Sequence, residues 1–419
     1  MKILWIVNMV LPELADHLNI STGSSGTWMF DLSKKISESD NIELAIACVY
    51  GNEFEKYTVN GTTYYTLPGN GHNMLRYTKD YESIWQQINN DFKPDIVHLH
   101  GTEYSHGLSF LRSCPDVPSF LSIQGVISKI GPVTFDGISF IDYIKNRTLK
   151  ETIKCNGIFE NKLLFKKNSK YEQEIIKRVR YATGRTFWDK CFMQTVNPNI
   201  KYFRCNYNLR DEFYKAEKWD INKIERHAIY GSTSFQSAAK GGLMLLKAVN
   251  IVKNYYHDVK VYVILSNHDN GRYTSGNSFR KYMLKMIKQY DLIDNIICFS
   301  PQKAPGIISY MEKCNVAVIP SAMENASATL REAMHLGVPS IAAYRGGMTE
   351  LVKDGESGFF FDFKEYEYLA GRIMQIFEDD DLAQKLSENA IKSAEVWHQR
   401  EKNVDDMINV YKEIYRENK

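Results

Sequence analysis

A chain of 419 residues is too long for one ordinary hydrophobic core and suits two α/β domains of about 200 residues each. Its 44% hydrophobic and 24% charged content is that of a soluble globular protein, and a net charge of +2 argues against wholesale nucleic-acid binding. The seven cysteines (48, 114, 155, 191, 205, 298, 314) are odd in number and show no C-x-x-C spacing, so neither a disulfide framework nor a zinc site is indicated and a reducing cytoplasm is expected.

In chain order, the apolar run ILWIVNMVL after Met1-Lys2 imitates a secretion signal. Glu13 and Asp16 arrive early and no small-residue cleavage site follows, which favours a buried parallel strand at 3–8. Thr22-Gly23-Ser24-Ser25-Gly26-Thr27 then turns into a helix running to about residue 39. Strand, glycine turn and helix together suggest a phosphate or sugar cradle, although the dinucleotide pattern G-x-G-x-x-G is absent. Residues 43–50 and 63–67 read as strands and 77–90 as a helix. The segment PDIVHLHGTE (94–103) is an apolar strand with a polar tip, and in parallel sheets ligands lie beyond the carboxyl ends of strands, so His100 and Glu103 are candidates for a cleft. The strand at 117–123 ends at Gln124-Gly125.

Residues 145–180 carry eleven Lys/Arg and four Glu, a local charge of +7, interleaved with Ile153, Ile158, Phe159, Leu163, Leu164 and Phe165. This is either a solvated helical layer or a surface for an anionic acceptor or a membrane face. Within ATGRTFWD (182–189), Arg185 follows a glycine turn, where it could meet phosphate or carboxylate or could pin a loop. Polar residues from 206 to 223 read as a linker. A second domain opens with a strand at 228–230 and the turn GSTSFQSAAKGG, placing Lys240 at the start of a helix reaching 253, where it could contact phosphates as a point charge. Strands at 260–266, 295–299 and 315–319 and helices at 278–290 and 307–313 follow. No window approaches roughly 18 consecutive apolar residues, so nothing is expected to span a membrane.

The densest chemistry lies in PSAMENASATLREAMHLGVPSIAAYRGGMTELVKDGESG (320–358). A strand delivers a loop to a helix N-capped by Ser327 and ended by Gly337, which aims backbone N–H groups and the positive end of the helix dipole at one sheet edge. Glu324 in the loop and Glu332 in the helix add carboxylates, which suit the vicinal hydroxyls of a phosphorylated polyol. Glu378-Asp379-Asp380-Asp381 contains a D-x-D, but it sits between two helices, where acids at a helix start need no metal.

This stretch resembles the signature of the retaining glycosyltransferases of family 4: P-S-x-x-E-N-x-S-x-T-L-x-E-A-M-x-x-G-x-P, then G-G-x-x-E-L-V-x-D-G-x-x-G. The resemblance implies an α/β fold of GT-B architecture, two Rossmann-like doubly wound domains facing across a cleft. Residues 1–210 would take the acceptor, 224–395 the nucleotide sugar, and the helix at about 396–419 would pack back on the first domain. It also implies that Glu332 holds the ribose hydroxyls, that Lys240 and the helix near Ser327 hold the diphosphate, and that Glu324 with Asn325 and Ala326 holds the transferred sugar. The turn with Gly23 and Gly26 matches the family's N-terminal glycine loop, 300–304 its base pocket, and His100 the second histidine of D-I-V-H-x-H-G. Two positions depart from the pattern: Gln124 stands where many members carry histidine, and Ser232 where an arginine is usual, so that a second cation is missing or comes from Arg185 or Arg345.

The expected function is therefore a retaining, metal-independent glycosyltransferase acting by same-face attack, with Glu324, His100 and Gln124 at the reacting centre. Its co-substrate would be a nucleotide-diphosphate sugar, with no other cofactor, and its acceptor a glycan or lipid-linked glycan in surface polysaccharide synthesis. It would be cytoplasmic, with peripheral contact at the inner membrane face through 145–180 and no nucleic-acid partner. A nicotinamide oxidoreductase would need G-x-G-x-x-G and an acid ending the second strand, whereas Val49-Tyr50-Gly51 stands there. A non-catalytic nucleotide-sugar-binding module is the alternative that Gln124 and Ser232 raise.

Overall fold

The computed structural model describes residues 1–419 apart from 22–25, 27, 71–76, 234, 266–267, 270–271 and 274–276. The chain divides into two compact units. One comprises Met1–Ser128, Phe165–Arg210 and His398–Lys419, and the other Lys129–Leu164 and Asp211–Trp397. Residues 129–164 thus go with the second unit, whereas the sequence alone put them in the first domain.

The first unit is built on β1 (Lys2–Ile6), β2 (Glu43–Val49), β3 (Glu55–Val59), β4 (Thr62–Leu67), β5 (Ile96–His100), β6 (Ser119–Ser122), β7 (Tyr181–Gly184) and β8 (Lys201–Arg204). The sheet order is β3-β4-β2-β1-β5-β6-β7-β8, parallel throughout except for β3 against β4. Alternate residues of β1 enter different cores. Leu4 and Ile6 pack with Trp85, Ile88 and Leu108, while Ile3 and Trp5 pack with Met29, Leu32 and Ile36. Both faces are covered, which is why the strand reads as a continuous apolar run rather than an alternating one.

The second of these cores is completed by the helix Arg400–Glu417, whose Val404, Met407, Val410, Tyr411 and Ile414 are buried in it. Each such side chain contributes roughly 1.5–3 kcal/mol. Tyr411 also carries polar bonds: its hydroxyl accepts from Trp5 Nε1 at 2.9 Å and lies 2.5 Å from His98 Nδ1, whose Nε2 is 2.6 Å from Ser122 Oγ. Arg400 pairs with Asp31, and Asn403 donates to Asn208 at 3.0 Å.

The second unit has β9 (Ala228–Gly231), β10 (Lys260–Ile264), a short hairpin β11 (His268–Asp269) and β12 (Arg272–Tyr273), then β13 (Ile296–Phe299), β14 (Val316–Ile319), β15 (Ser340–Ala343) and β16 (Phe359–Phe361). Its main sheet is parallel, in the order β13-β10-β9-β14-β15-β16. Residues 129–164 are tied to it by Glu151, which forms a capping box with Thr148 and also accepts from Ser278 N at 3.0 Å and Ser278 Oγ at 2.9 Å. Gly137 lies so close that a Cβ there would stand 2.4 Å from Ala238 O.

The stretch read as a polar linker does carry the chain from the first unit to the second, at Arg210–Asp211, but it is anchored. Tyr207, Leu209, Phe213 and Trp219 are buried and Asp211–Lys215 is helical, so apolar anchors at irregular spacing secure this stretch. Among the described residues no helix is long and apolar enough to cross a membrane.

Candidate active site

The second unit gathers most of the candidate residues. β14, fully buried VAVI, delivers Pro320 and a loop to the helix Ala328–Leu336. Ser327 Oγ accepts from Leu330 N at 3.3 Å, the expected N-cap, and Gly337 closes the helix in the left-handed region at φ 86°. Gly241 presses on this loop: a Cβ there would lie 1.7 Å from Pro320 O, and the adjacent Ala239 O accepts from Ala322 N at 2.8 Å. The turn Ala238–Lys240 is thereby locked against the loop 320–324, and Lys240 Nζ donates to Glu324 Oε1. Lys240 sits in this 3-10 turn rather than at a helix start, because the helix begins only at Gly242.

Glu324 is held from the other side as well. Its carbonyl accepts from Gly347 N at 3.0 Å, and a Cβ on Gly346, at φ 58°, would lie 2.0 Å from the same oxygen. The negative charge of Glu324 raises the Lys240 pKa, so the ammonium stays charged at any neutral pH. Asn325 is buried and Ala326 half-buried beside Glu324. Glu332 is buried in the middle of the helix at 8% exposure. Arg345, half-exposed and 3.5 Å from Asp362, is the cation that precedes Gly346. Ser232 N pairs with Val318 O at 2.9 Å, continuing the sheet at the position where the family pattern has an arginine.

The first unit brings Gly26, His100, Glu103 and Gln124 together around a cavity of about 330 Å³ that Asn8, Trp28 and Tyr104 also line. Gly23 lies outside the described residues. The His100 ring packs between Trp5 and Trp28, with centroids 4.3 and 5.4 Å away, and neither ring nitrogen has a partner among the described residues. Burial lowers its pKa to about 3, so it acts as a neutral hydrogen-bonding group. Glu103 Oε1 accepts from Gly125 N at 2.5 Å while Oε2 has no partner among the described residues, and burial pushes the carboxyl up to about 7. Gln124 donates to Tyr207 OH at 2.8 Å, and Tyr207 stacks on Trp28 at 3.8 Å between centroids.

Arg185 takes the loop-pinning role. It is buried, its guanidinium donates to Ile123 O at 3.3 Å and to Gln124 O and Oε1 at 3.4 Å, and it lies over the Tyr207 ring. In the loop at 300–304, Gln302 donates to Ser300 O at 3.0 Å ahead of the helix Ala304–Glu312. Asp379 Oδ1 caps Leu382 N at 2.8 Å and Asp380 pairs with Arg226, while no group of three His, Cys, Asp or Glu side chains among the described residues could hold a metal ion. Sequence reading missed Glu172, which it counted only as a charge. This carboxylate is buried and accepts from Ile127 N at 2.8 Å, Ser128 N at 2.9 Å and Thr102 Oγ1 at 3.1 Å, fixing the turn behind the Glu103 loop.

Residues 215–393 match the family model of glycosyl transferases group 1. The chain is 23% identical over 137 residues to N-acetyl-alpha-D-glucosaminyl L-malate synthase of Bacillus anthracis, covering 33% of this chain and 35% of that protein. Over 155 residues it is 25% identical to D-inositol 3-phosphate glycosyltransferase of Corynebacterium urealyticum, covering 37% and 36%. It thus spans about a third of the length of the curated relatives it matches. Among solved structures, sucrose-phosphate synthase from Thermosynechococcus elongatus superposes with a TM-score of 0.74 at 15% identity, over 99% of both chains. Anabaena HepE in complex with UDP and glucose superposes with a TM-score of 0.68 at 14% identity, over 99% of this chain and 100% of that one.

Proposed function

We propose, from a fold that is that of GT-B glycosyltransferases and from the match of residues 215–393 to the family model of glycosyl transferases group 1, that the protein is a retaining, metal-independent glycosyltransferase using a nucleotide-diphosphate sugar. The Lys240–Glu324 pair at the N-terminus of helix Ala328–Leu336 carries this reading, since it sets a fixed cation and a fixed carboxylate side by side at one sheet edge. When the sugar's anomeric carbon separates from the diphosphate, negative charge grows on the leaving oxygen. Lys240 and the helix dipole then stabilise that charge more than they stabilise the intact donor. Arg345 is the second cation in this scheme.

Glu324 accepts hydrogen bonds from the sugar's hydroxyls, and Glu332 from those of the ribose. Retention follows from attack on the face the leaving group departs from. The anomeric C–O bond to phosphate breaks, the bond to the acceptor oxygen forms, and the acceptor's proton passes to the departing phosphate oxygen. Catalysis is then mostly positioning and electrostatics.

The acceptor is assigned to the first unit's cavity. Among the described lining residues there is no lysine or arginine, and Trp28 offers a ring for a sugar face while Glu103 and His100 offer polar atoms for hydroxyls. This favours a hydroxylic glycan end over an anionic acceptor. A lipid-linked glycan in surface polysaccharide synthesis, at the cytoplasmic face, fits that requirement.

Gln124 and Ser232 support the second reading, a module that binds nucleotide sugar without turning it over. A thermal-shift panel of UDP, GDP, ADP and CMP, starting from the UDP that HepE binds, identifies the base. Slow hydrolysis of the matching donor in a chelator, lost in Glu324→Gln, is expected; binding without hydrolysis would favour the module, and metal-reversible loss would overturn metal independence.

A further inference from the structure

Three helical segments of the second unit each leave an apolar pair on the outside. Phe140 and Ile144 lie on Phe140–Asn146, Leu149 and Ile153 on Leu149–Lys154, and Phe159 and Leu163 on the first turns of Ile158–Arg178. Each pair is spaced i, i+4 and so shares one helix face. Leu149 and Ile153 are 83% and 82% exposed, and the other four are exposed as well. Including Ile141, seven of the thirteen large exposed hydrophobics among the described residues fall within 140–163, which is a concentration and not the usual scatter. The Phe140 and Phe159 rings, 6.4 Å apart, join two of the helices into one surface.

These helices are already seated. Tyr143, Asn146 and Glu151 are buried, and Glu151 holds Ser278, so the outer pairs are not a core waiting to close. The same stretch exposes Lys145, Lys150, Lys154 and Lys162, none of which makes an ion pair among the described residues. Its acids are engaged elsewhere: Glu160 pairs with Arg147, Asp142 accepts from Ser139, and Glu151 faces inward.

We propose that the surface formed by helices 140–163 lies on an anionic lipid bilayer, the apolar pairs entering the boundary between headgroups and acyl chains while the four lysines meet lipid phosphates. A second copy of the chain would bring the lysines face to face, and an uncharged apolar groove would leave them unmatched. An anionic bilayer satisfies both features at once. The contact expected over 145–180, where basic residues are interleaved with apolar ones, is thereby narrowed to a stretch in which apolar side chains provide the depth of binding and lysines the preference for anionic lipid.

Vesicle binding needs no turnover, so the test is independent of the proposed transfer reaction. The full chain should co-sediment with vesicles of phosphatidylcholine and phosphatidylglycerol (3:1) at least ten-fold better than with phosphatidylcholine alone. The double variant Leu149→Ser, Ile153→Ser and the quadruple Lys145, Lys150, Lys154, Lys162→Gln should each lose most of that binding, with melting temperature and nucleotide affinity unchanged. Ile153→Trp should show a blue-shifted emission on adding the anionic vesicles. Absence of binding by the wild type, an unshifted tryptophan, or a concentration-dependent dimer abolished by the Ser variants would overturn the proposal.

Discussion

Lys240 Nζ donates to Glu324 Oε1 across 84 residues of chain, and both partners are positioned by glycines that a single methyl group would displace. The lysine is half-exposed, so the pair itself contributes at most about 1 kcal/mol to stability. Lys240→Ala should therefore leave the melting temperature nearly unchanged but weaken a nucleoside diphosphate by roughly 1.5–3 kcal/mol, about ten- to a hundred-fold. Calorimetric titration with UDP and with uridine separates the cases: an equal loss for uridine would mean a distorted site and not a missing cation.

Gly241→Ala acts on the same site through the backbone. Its φ of 70° and the 1.7 Å approach to Pro320 O leave no room for a Cβ, so the turn Ala238–Lys240 must move off the loop 320–324. A loss of at least 1–2 kcal/mol in unfolding free energy, together with weaker nucleotide binding, is expected. Chemical denaturation and titration of the same preparation check both; a variant as stable and as tight as wild type would remove the loop contact from the site's architecture.

The first unit should show a steep acid limb. His98, His100 and His106 are buried and kept neutral, with His100 lowered to about 3 and His106 to about 4, so below pH 6.5 the unfolded chain takes up protons that the native unit does not, and stability falls. Glu103 works the other way: raised to about 7, it holds its proton in the native state through a window where the unfolded chain has lost it, so its contribution is complete below about 4.5 and disappears as pH rises through 7. Near pH 5 these four groups leave a net of about two protons, and unfolding free energy should rise by roughly 2–3 kcal/mol per pH unit. Glu103→Gln should steepen that slope by about 1 kcal/mol per unit. Urea unfolding at several pH values measures it, and a flat profile would contradict the buried imidazoles.

Tyr411→Phe tests how the last helix is attached. Removing one hydroxyl leaves Trp5 Nε1 and His98 Nδ1 without it in a closed core, a cost on the order of 2–4 kcal/mol for two buried groups. Because the ring remains, packing is preserved, and a loss below about 0.5 kcal/mol in chemical denaturation would show that the two nitrogens find other partners.

What the sequence made legible was local or periodic. The buried strands are continuous apolar runs because both sheet faces are covered, and Ser327 and Gly337 mark their helix ends by chemistry that acts within one turn. What stayed hidden depends on partners far along the chain. Glu172 and Glu151 look like members of a charged layer, yet one fixes the turn at 127–128 and the other holds Ser278. Arg185 looks equally suited to phosphate or to a loop until its carbonyl partners are seen. Phe213 and Trp219 are spaced too irregularly among polar residues to announce burial, so 206–223 reads as an unanchored linker.

The first unit takes its strands from the early part of the chain, but one of its two cores includes side chains from 398–419. On the ribosome, Trp5, Met29 and Ile46 are therefore made hundreds of residues before the helix that shelters them, whereas the second unit has all its parts once residue 397 has emerged. Synthesis order and folding order are reversed: the unit begun first should mature last. A chain released after residue 397 should accordingly be cut by protease within 1–128 and resist it within 211–397, a state in which exposed apolar surface calls for chaperone cover until the final helix arrives.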